Sequence, residues 1–564
     1  MAGRRSPFAA GLRGSAWAAA AASCGLVAAG AARAETLADS IALAYESNPT
    51  LQSQRAQLRA LDETYVQARA GWRPTATGQV QANYSQQPQS SFFGGTSEVD
   101  SNNGSATLGV TQPLYTGGRT SAAVRAAQAD VLAARQMLRA TEAQLLQAVV
   151  TAYADVLRDQ TLLGIREHDF AVLQSEVDDA LARFKAGEVT VTDVAQTRNQ
   201  LAGSRSALTV AQGQLQLSRA NYAAVVGQNP GQLAPAPSMP GVPADVDEAF
   251  DAATLANPGL RQAEIAEEAS RARISEARAA NRPNVSLNAS LGLTGVVSPL
   301  LNLDQALSAT VTYTQPLFTG GVNESNVRRA VELNTSDRIG IESARRSAVL
   351  AVSQAWNQMI TQRAAVASEQ DHVRVARDYF SGTQAEYTVG QRSTLDIVVA
   401  EQSLVGAEIT LTDTQHDAYV AQAALLNATG RLEVRYVVPG APLYDPAASF
   451  KKVAHGGAVP WEGAIAALDD LGAAPIRRER PIPAPAADAR PTLAPASLNA
   501  RAAVTGEGFS PSVPATALPT APLPNTTSPR TPETVGAAVG AAQDAGATAA
   551  PDAPVSTAKP GAGA

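Results

Sequence analysis

The stretch "TQPLYTGGR" at residues 111–119 recurs almost unchanged as "TQPLFTGGV" at residues 314–322, 203 positions further along the chain. Other landmarks repeat at the same offset, and one of them is the aromatic pair Tyr153 and Trp356. Upstream, "NPTL" returns as "NPGL" and "RP" returns as "RP" at an offset of 209. The chain therefore contains one large unit in two tandem copies, which is too long and too rarely repeated for a solenoid of short repeats.

The duplication and the composition divide the chain into four segments. Residues 1–34 are predicted to be a secretory signal peptide, because basic residues precede an alanine-rich apolar stretch and a small-residue cleavage site before Glu35. Residues 35–240 form the first repeat and residues 241–453 the second. Residues 454–564 are rich in Ala, Pro and Thr, and they are predicted to be a disordered tail because they can bury too little apolar surface to offset the entropy of ordering.

Cysteine content, charge and hydropathy limit the class of protein. The single cysteine, Cys24, lies in the predicted signal peptide, so no disulfide is expected after export. A lipid-bearing Cys24 is disfavoured because Ala21 stands where a larger aliphatic residue is usual. The net charge of −7, with both signs mixed along the chain, does not indicate nucleic-acid binding. No apolar run of about 18 residues follows the signal, so the exported chain is expected to be periplasmic, released, or inserted as a β-barrel.

Four segments alternate polar and apolar residues with the period of two that is typical of a β-strand. They are residues 75–84, 105–115, 284–293 and 307–318. One side of each segment carries Ala, Val, Leu or Tyr, and the other carries Thr, Ser, Asn or Gln with almost no charge. Two interpretations are open, namely an antiparallel sheet whose apolar face covers a soluble core and an outer-membrane barrel whose apolar side faces lipid.

Strand length and aromatic residues favour the barrel. Strands of about nine to eleven residues suit a membrane, and aromatic residues at the strand ends suit an interfacial girdle. The aromatic residues are Tyr84, Tyr115, Tyr313 and Phe318. Because four strands are too few to close a barrel, several subunits must share one.

Each copy of the duplicated stretch marks a junction between a strand and a long helix. Proline is expected to end strand pairing there, and the paired glycines to let the chain turn. The junction residues are Pro113, Gly117, Gly118, Pro316, Gly320 and Gly321. After the first junction, residues 119–185 contain few helix breakers and predict a rod of about 100 Å. Gly187 and Gly390 are predicted to turn the chain at the tips of two helical hairpins.

The signal peptide, the duplicated order of elements, the glycine-bearing tips and "LYDP" at residues 443–446 together resemble the TolC family of outer-membrane channel-tunnels. The resemblance spans about residues 35–453. It implies an α+β membrane protein in which two tandem repeats of helix, strand, strand, long helix and helix build a homotrimer. The trimer would share one twelve-stranded barrel in the outer membrane of a Gram-negative bacterium and extend a long α-helical barrel into the periplasm.

The resemblance also implies partners and a function. A periplasmic adaptor and an inner-membrane pump, either an ABC transporter or a proton-driven pump, would deliver substrates to the channel, and outer-membrane lipid would surround the barrel. The implied function is the exit duct of a tripartite export system, with type I protein secretion favoured and multidrug efflux as the alternative. A periplasmic coiled-coil scaffold whose strands form a soluble sheet is the alternative of a different class.

A gate at the periplasmic helix tips is a further implication of the resemblance. In the family, polar links hold the tips together, and they include an acidic residue on the first tip and an arginine and a tyrosine on the second. The matching positions here are Thr192 and Asp193 on the first tip and Tyr387 and Arg392 on the second. An arginine–carboxylate link can hold a helix pair and still be released. The alternative is a solvated surface pair that contributes less than about 1 kcal/mol.

The family also places carboxylates around the channel aperture. Asp396 stands at the matching position and would contribute one carboxylate per subunit. A second acidic position one helical turn later is Val399 in this chain, which puts cation binding at the entrance in doubt. Asp396 could equally act as a partner for the N-terminus of its own helix.

Enzymatic function is not indicated. The histidines do not pair at a metal-ligand spacing, the glycine pairs are not followed by the Lys-Ser/Thr of a phosphate loop, and no nucleophile has a base beside it. The histidines are His168, His372, His416 and His455. We therefore expect no enzyme activity, no cofactor and no metal site.

Overall fold

Two copies of one order of elements build the fold, as the duplication predicts. The first copy consists of α1 (Leu37–Ser47), α2 (Pro49–Arg69), β1 (Thr75–Ser90), β2 (Thr96–Tyr115), α3 (Arg119–Ala186) and α4 (Val191–Val226). The second consists of α5 (Val246–Ala256), α6 (Pro258–Ala279), β3 (Asn284–Val296), β4 (Asp304–Thr314), α7 (Val322–Thr388) and α8 (Thr394–Ala428). Three shorter helices follow, α9 (Val434–Val437), α10 (Pro446–Val453) and α11 (Glu462–Gly472).

This computed structural model describes residues 34–90, 94, 96–296, 304–438, 440 and 442–472. The predicted signal peptide, apart from Ala34, lies outside the described residues. So does the predicted tail beyond Gly472.

Asparagine caps begin the second helix of each repeat. The Asn48 side chain accepts the amide N–H of Thr50 and Leu51, and proline occupies the first position of α2. Asn257 caps α6 in the same way. Each asparagine also donates its side-chain amide to the last turn of the returning helix, Asn48 to Val225 and Asn257 to the Ala428 carbonyl. One residue type therefore both starts a helix and ties it to the end of another, which explains the recurrence of the Asn-Pro pair.

The long helices α3 and α7 contain 68 and 67 residues. At about 1.5 Å per residue, each is a rod of about 100 Å. Each rod packs against its returning helix, α3 against α4 and α7 against α8, and α3 also packs against α8. Among the described residues, no helix combines the length and the apolar character that a membrane crossing needs.

The four strands form one antiparallel sheet in the order β1-β2-β3-β4. Apolar residues pair across it on one face, as Leu108 does with Leu291 and Leu291 with Leu307. This face is not covered by the described part of the chain, because Val80 is 86% exposed and Leu307 is 82% exposed. The interpretation of a sheet packed on its own soluble core is therefore wrong for the single chain.

The strand limits differ from the predicted ones. The predicted segments 75–84 and 105–115 are parts of longer strands, β1 and β2, which pair continuously from Thr75 with Thr111 to Ser90 with Thr96. The Gln- and Ser-rich part between these segments stays in the ladder because main-chain hydrogen bonds do not require an apolar face. Conversely, β4 ends at Thr314, short of the predicted residue 318, because its last partner, Asn284, is the first residue of β3.

Pro113 does not end strand pairing, contrary to the expectation from the sequence. It pairs with Ser286, and the ladder continues to Tyr115 after a shift of register. Proline is tolerated at such an irregularity because one residue of the strand is left out of the ladder.

The predicted disordered tail begins too early. Residues 462–472 of the predicted segment 454–564 form α11, in which Ile465 packs against Trp72 and Val124. Glu462, Ile465 and Asp469 are the buried residues of α11 and recur at helical spacing along one face. The alanine-rich composition around them concealed this periodicity.

Candidate functional site

The helix tips bring together elements of both repeats. Gly187 ends α3 and Gly390 follows α7, both in the left-handed conformation with φ of 82° and 80°. The first turns of α4 and α8 lie side by side and line a small pocket with Asp193, Thr197 and Thr394. Further along, the Gln402 side-chain amide donates to Gln200 Oε1 at 2.6 Å.

Asp193 caps its own helix. Its carboxylate accepts the amide N–H and the hydroxyl of Thr190 at 2.8 and 2.9 Å, and the Asp193 amide donates to the Thr190 hydroxyl. The main-chain hydrogen bond, followed by the hydroxyl, lowers the pKa of Asp193 below its usual value. Thr192, beside it, is exposed. The structure thus uses Asp193 to start α4 while leaving the carboxylate partly accessible.

Asp396 repeats this arrangement at the start of α8. It accepts the Ser393 amide at 2.9 Å and the Ser393 hydroxyl at 2.8 Å. The main-chain hydrogen bond, followed by the hydroxyl, lowers the pKa of Asp396. The capping role that the sequence left open is present, and Val399, one turn later, is exposed.

Arg392 binds within its own tip. Its Nε lies 2.7 Å from the Glu386 carboxylate, and both side chains are about half exposed. The carboxylate of Asp193 is held by its cap, so the structure does not join Asp193 to Arg392 within one subunit. An exposed pair such as Arg392 with Glu386 contributes little to stability, because water and salt screen the two charges.

Tyr387 forms a polar link between α7 and α3, and so between the two repeats. Its hydroxyl donates to Asp179 Oδ2 on α3 at 2.7 Å, and the Arg183 guanidinium lies 4.2 Å from the centre of its ring. Arg183 also binds Asp179 at 2.9 Å. Burial raises the pKa of Tyr387, so the phenol keeps the proton that it donates. The sequence points to Tyr387 and not to Asp179 or Arg183, although an acidic and a basic residue four positions apart near a helix end are typical of an ion pair on one helix face.

Glu401 is a buried carboxylate two turns from the start of α8. It is 1% exposed, and neither of its oxygens has a hydrogen-bond partner in the described structure. Burial, followed by the negative charges of Asp169, Glu408 and Glu176, raises its pKa to about 7. An unpaired buried carboxylate that faces other acids destabilises the helix packing whenever it is ionised.

The two strand-to-helix junctions have the same backbone and different surroundings. The glycine pairs Gly117–Gly118 and Gly320–Gly321 all have positive φ. The first pair is buried and the second is exposed. A Cβ on Gly117 would lie 2.7 Å from Arg282 Cβ, whereas a Cβ on Gly320 would meet nothing within 4 Å.

Gly117→Ala is expected to destabilise the protein by about 1–3 kcal/mol more than Gly320→Ala. Both alanines would carry the cost of a left-handed conformation, and only the first would also clash. Thermal unfolding followed by circular dichroism measures the difference. Equal losses of stability would show that the approach of Arg282 to Gly117 is not a constraint.

Among the described residues, no group of three or more His, Cys, Asp or Glu side chains is arranged to hold a metal ion.

Known proteins resemble the chain throughout both repeats. The model of the outer membrane efflux protein family matches residues 40–228 and 249–431. The chain is 32% identical to the outer membrane efflux protein BepC of Brucella suis, over 75% of this chain and 91% of that protein. It is 25% identical to the outer membrane protein TolC of Escherichia coli, over 71% of this chain and 83% of that protein.

The solved structures show the same fold. The CmeC outer membrane channel of Campylobacter jejuni aligns with a TM-score of 0.64 at 14% identity, covering 74% of this chain and 89% of that one. Family match, sequence identity and fold agree. The chain therefore belongs to the TolC family of outer membrane efflux proteins, and it is an outer-membrane export channel and not an enzyme.

Proposed function

We propose that this chain is one third of a homotrimeric exit duct. The observation that carries the proposal is the four-stranded sheet, whose outer strands β1 and β4 each have one unpaired edge within the described chain. Unpaired edges are not tolerated in lipid, because main-chain groups there have no water to bind. Pairing β4 of one subunit with β1 of the next removes every edge.

Three subunits would then form a closed barrel of twelve strands. Its apolar face, which includes Val80 and Leu307, would meet lipid, and its Thr-, Ser- and Asn-rich face would line the lumen. The rods α3 and α7 would continue the channel into the periplasm.

The helix tips would close this channel at rest. We assign the closing contacts to Tyr387, with Thr192, Asp193 and Arg392 as groups that can bind across subunits. Asp396 would contribute to a ring of carboxylates at the aperture, because its lowered pKa keeps it ionised. Opening would separate α7 from α3 and break the hydrogen bond from Tyr387 to Asp179.

The proposed machine is a type I protein-secretion system. Its other parts would be a periplasmic adaptor and an inner-membrane ABC transporter. The "LYDP" segment and the absence of a convincing lipid-bearing cysteine favour this branch over drug efflux. The second candidate, multidrug efflux with a proton-driven pump, is favoured by the likeness to BepC, which is described as an efflux protein.

Cross-linking in cells, followed by purification of this chain and mass spectrometry, distinguishes type I secretion from multidrug efflux. Recovery of an ABC-type ATPase with its adaptor is the expected result, and a deletion strain should then lack a secreted protein in its medium. Recovery of only a proton-driven pump, together with drug sensitivity of the deletion strain, would replace secretion by efflux.

A further inference from the structure

Residues that follow the second repeat bind the junction of the first. We call residues 454–472 the C-terminal latch. Its Glu462 carboxylate lies 2.6 Å from Arg69 and 3.0 Å from Arg73, and Glu462 is only 3% exposed. The same arginines donate to main-chain carbonyls of the latch, Arg69 to Ala454 and Arg73 to Gly456. The latch is therefore held at several points just before β1 begins.

A second carboxylate of the latch binds the start of α3. Asp469 is fully buried and accepts the amide N–H of Thr116, Gly118 and Ser121 at 2.8, 3.0 and 3.2 Å. It also lies 3.3 Å from the indole nitrogen of Trp72. The first turn of α3 has no acidic residue, and its N-cap residue, Gly118, has no side chain that could accept a hydrogen bond. Asp469 thus supplies the negative charge that the N-terminus of a helix favours.

The junction of the second repeat has only part of this binding site. It keeps the counterparts of the two arginines, Arg278 and Arg282. It has Glu324 where the first junction has Ser121, and this residue is the acid in the first turn of α7. A further carboxylate at that place would be repelled by Glu324. Consistent with an uncovered surface, Leu317 and Phe318 of the second junction are more than 90% exposed.

We propose that the first junction is a binding site for an acidic helix and that its occupant is α11 of the same chain. The recognised feature is a pair of carboxylates seven residues apart, which stand about two helical turns from each other on one face. Docking of the latch joins the strand ends to α2 and α3, and it places Gly472 next to Arg282, which donates to the Gly472 carbonyl.

Hydrogen–deuterium exchange on the full-length protein tests the contact. In Glu462→Gln and Asp469→Asn, the amides of residues 462–472 and 116–121 are expected to exchange at least about tenfold faster than in the wild type. Asp470→Asn is the matched control, because Asp470 is exposed on the same helix. Unchanged exchange in the first two variants, or an equal increase in the third, would overturn the proposal.

Peptide binding tests the site without relying on stability. A fluorescent peptide of residues 454–472 is expected to bind the Glu462→Gln/Asp469→Asn protein at least tenfold more tightly than the wild type, whose site is already occupied. A peptide carrying both substitutions is expected to bind neither protein. Equal binding of the two peptides would show that the carboxylates are not recognised.

Discussion

Tyr387→Phe is expected to raise the time-averaged conductance of single channels of the protein in a planar bilayer. The substitution removes only the hydroxyl that donates to Asp179 Oδ2 at 2.7 Å, and Tyr387 is 6% exposed. A hydrogen bond to a charged group contributes about 1.5–3 kcal/mol, and each 1.4 kcal/mol is about tenfold in an equilibrium. The open population should therefore rise by about ten- to a hundredfold, and the average conductance with it.

Two variants on the same tip sharpen this test. Tyr379→Phe is the matched control, because Tyr379 lies two turns earlier on α7 and is 45% exposed. Arg392→Ala, which sequence analysis alone would select, is expected to raise the conductance less, because Arg392 pairs with Glu386 in solvent. A larger effect of Arg392→Ala than of Tyr387→Phe would instead indicate that Arg392 binds across subunits and is the principal closing contact.

Glu401→Gln is expected to stabilise the helical rod above neutral pH and to flatten its dependence on pH. The folded-state pKa of Glu401 is raised from 4.5 to about 7 by burial and by neighbouring acids. The folded protein therefore binds a proton that the unfolded chain has already released, and stability falls as the pH rises from about 4.5 through 7. At about 1.4 kcal/mol per pKa unit, the loss is on the order of 3 kcal/mol.

Urea unfolding at pH 5 and at pH 8, followed by circular dichroism, measures this effect. Glutamine has the shape of the protonated acid, so the variant should resemble the wild type at pH 5 and exceed it at pH 8. Glu188→Gln is the control, since Glu188 is exposed at the tip of α3. The same slope with pH in the wild type and in Glu401→Gln would mean that water reaches Glu401 and that it ionises freely.

His416 adds a pH dependence of the same sign. Its Nε2 lies 2.9 Å from Asp155 on α3, and Asp417 lies 3.0 Å from Nδ1. Burial lowers the pKa of His416, but the two carboxylates outweigh burial and raise it above 6.5. The stability from this pair is complete below pH 6.5 and is lost as the pH rises through the higher folded value. Both groups on α8 therefore favour close packing against α3 at acidic pH.

Sequence patterns predicted the elements whose cause is local. The Asn-Pro pairs predicted where α2 and α6 begin, because the cap and the proline act within one helical turn. The scarcity of helix breakers predicted the rod that ends at Ala186. The sequence pattern predicted the wrong end of β2, because a partner strand decides the pairing there. Pro113 stays in the ladder because it pairs with Ser286 of β3. Composition predicted disorder where α11 forms, because the residues that stabilise α11 are far away in the sequence.

In the candidate gate, too, the sequence could predict contacts within one helix turn but not contacts between the repeats. Asp193 and Asp396 could be recognised as helix caps from their spacing to Thr190 and Ser393, because both partners lie three residues away. Asp179 could not be recognised as the partner of Tyr387, because 208 residues separate them.

By itself, the sequence determined the duplication, the order of helices and strands, the turns and the family, since each depends on residues within a few positions or on the recurrence of a motif. Only the tertiary structure decided which side chains meet across the two repeats. It brings the Tyr387 hydroxyl within hydrogen-bond distance of Asp179 and buries Glu401 near other carboxylates. It also packs the latch against the first junction and not against the second. The physical reason is that hydrogen bonds and burial act over a few ångströms in space, whatever the distance along the chain.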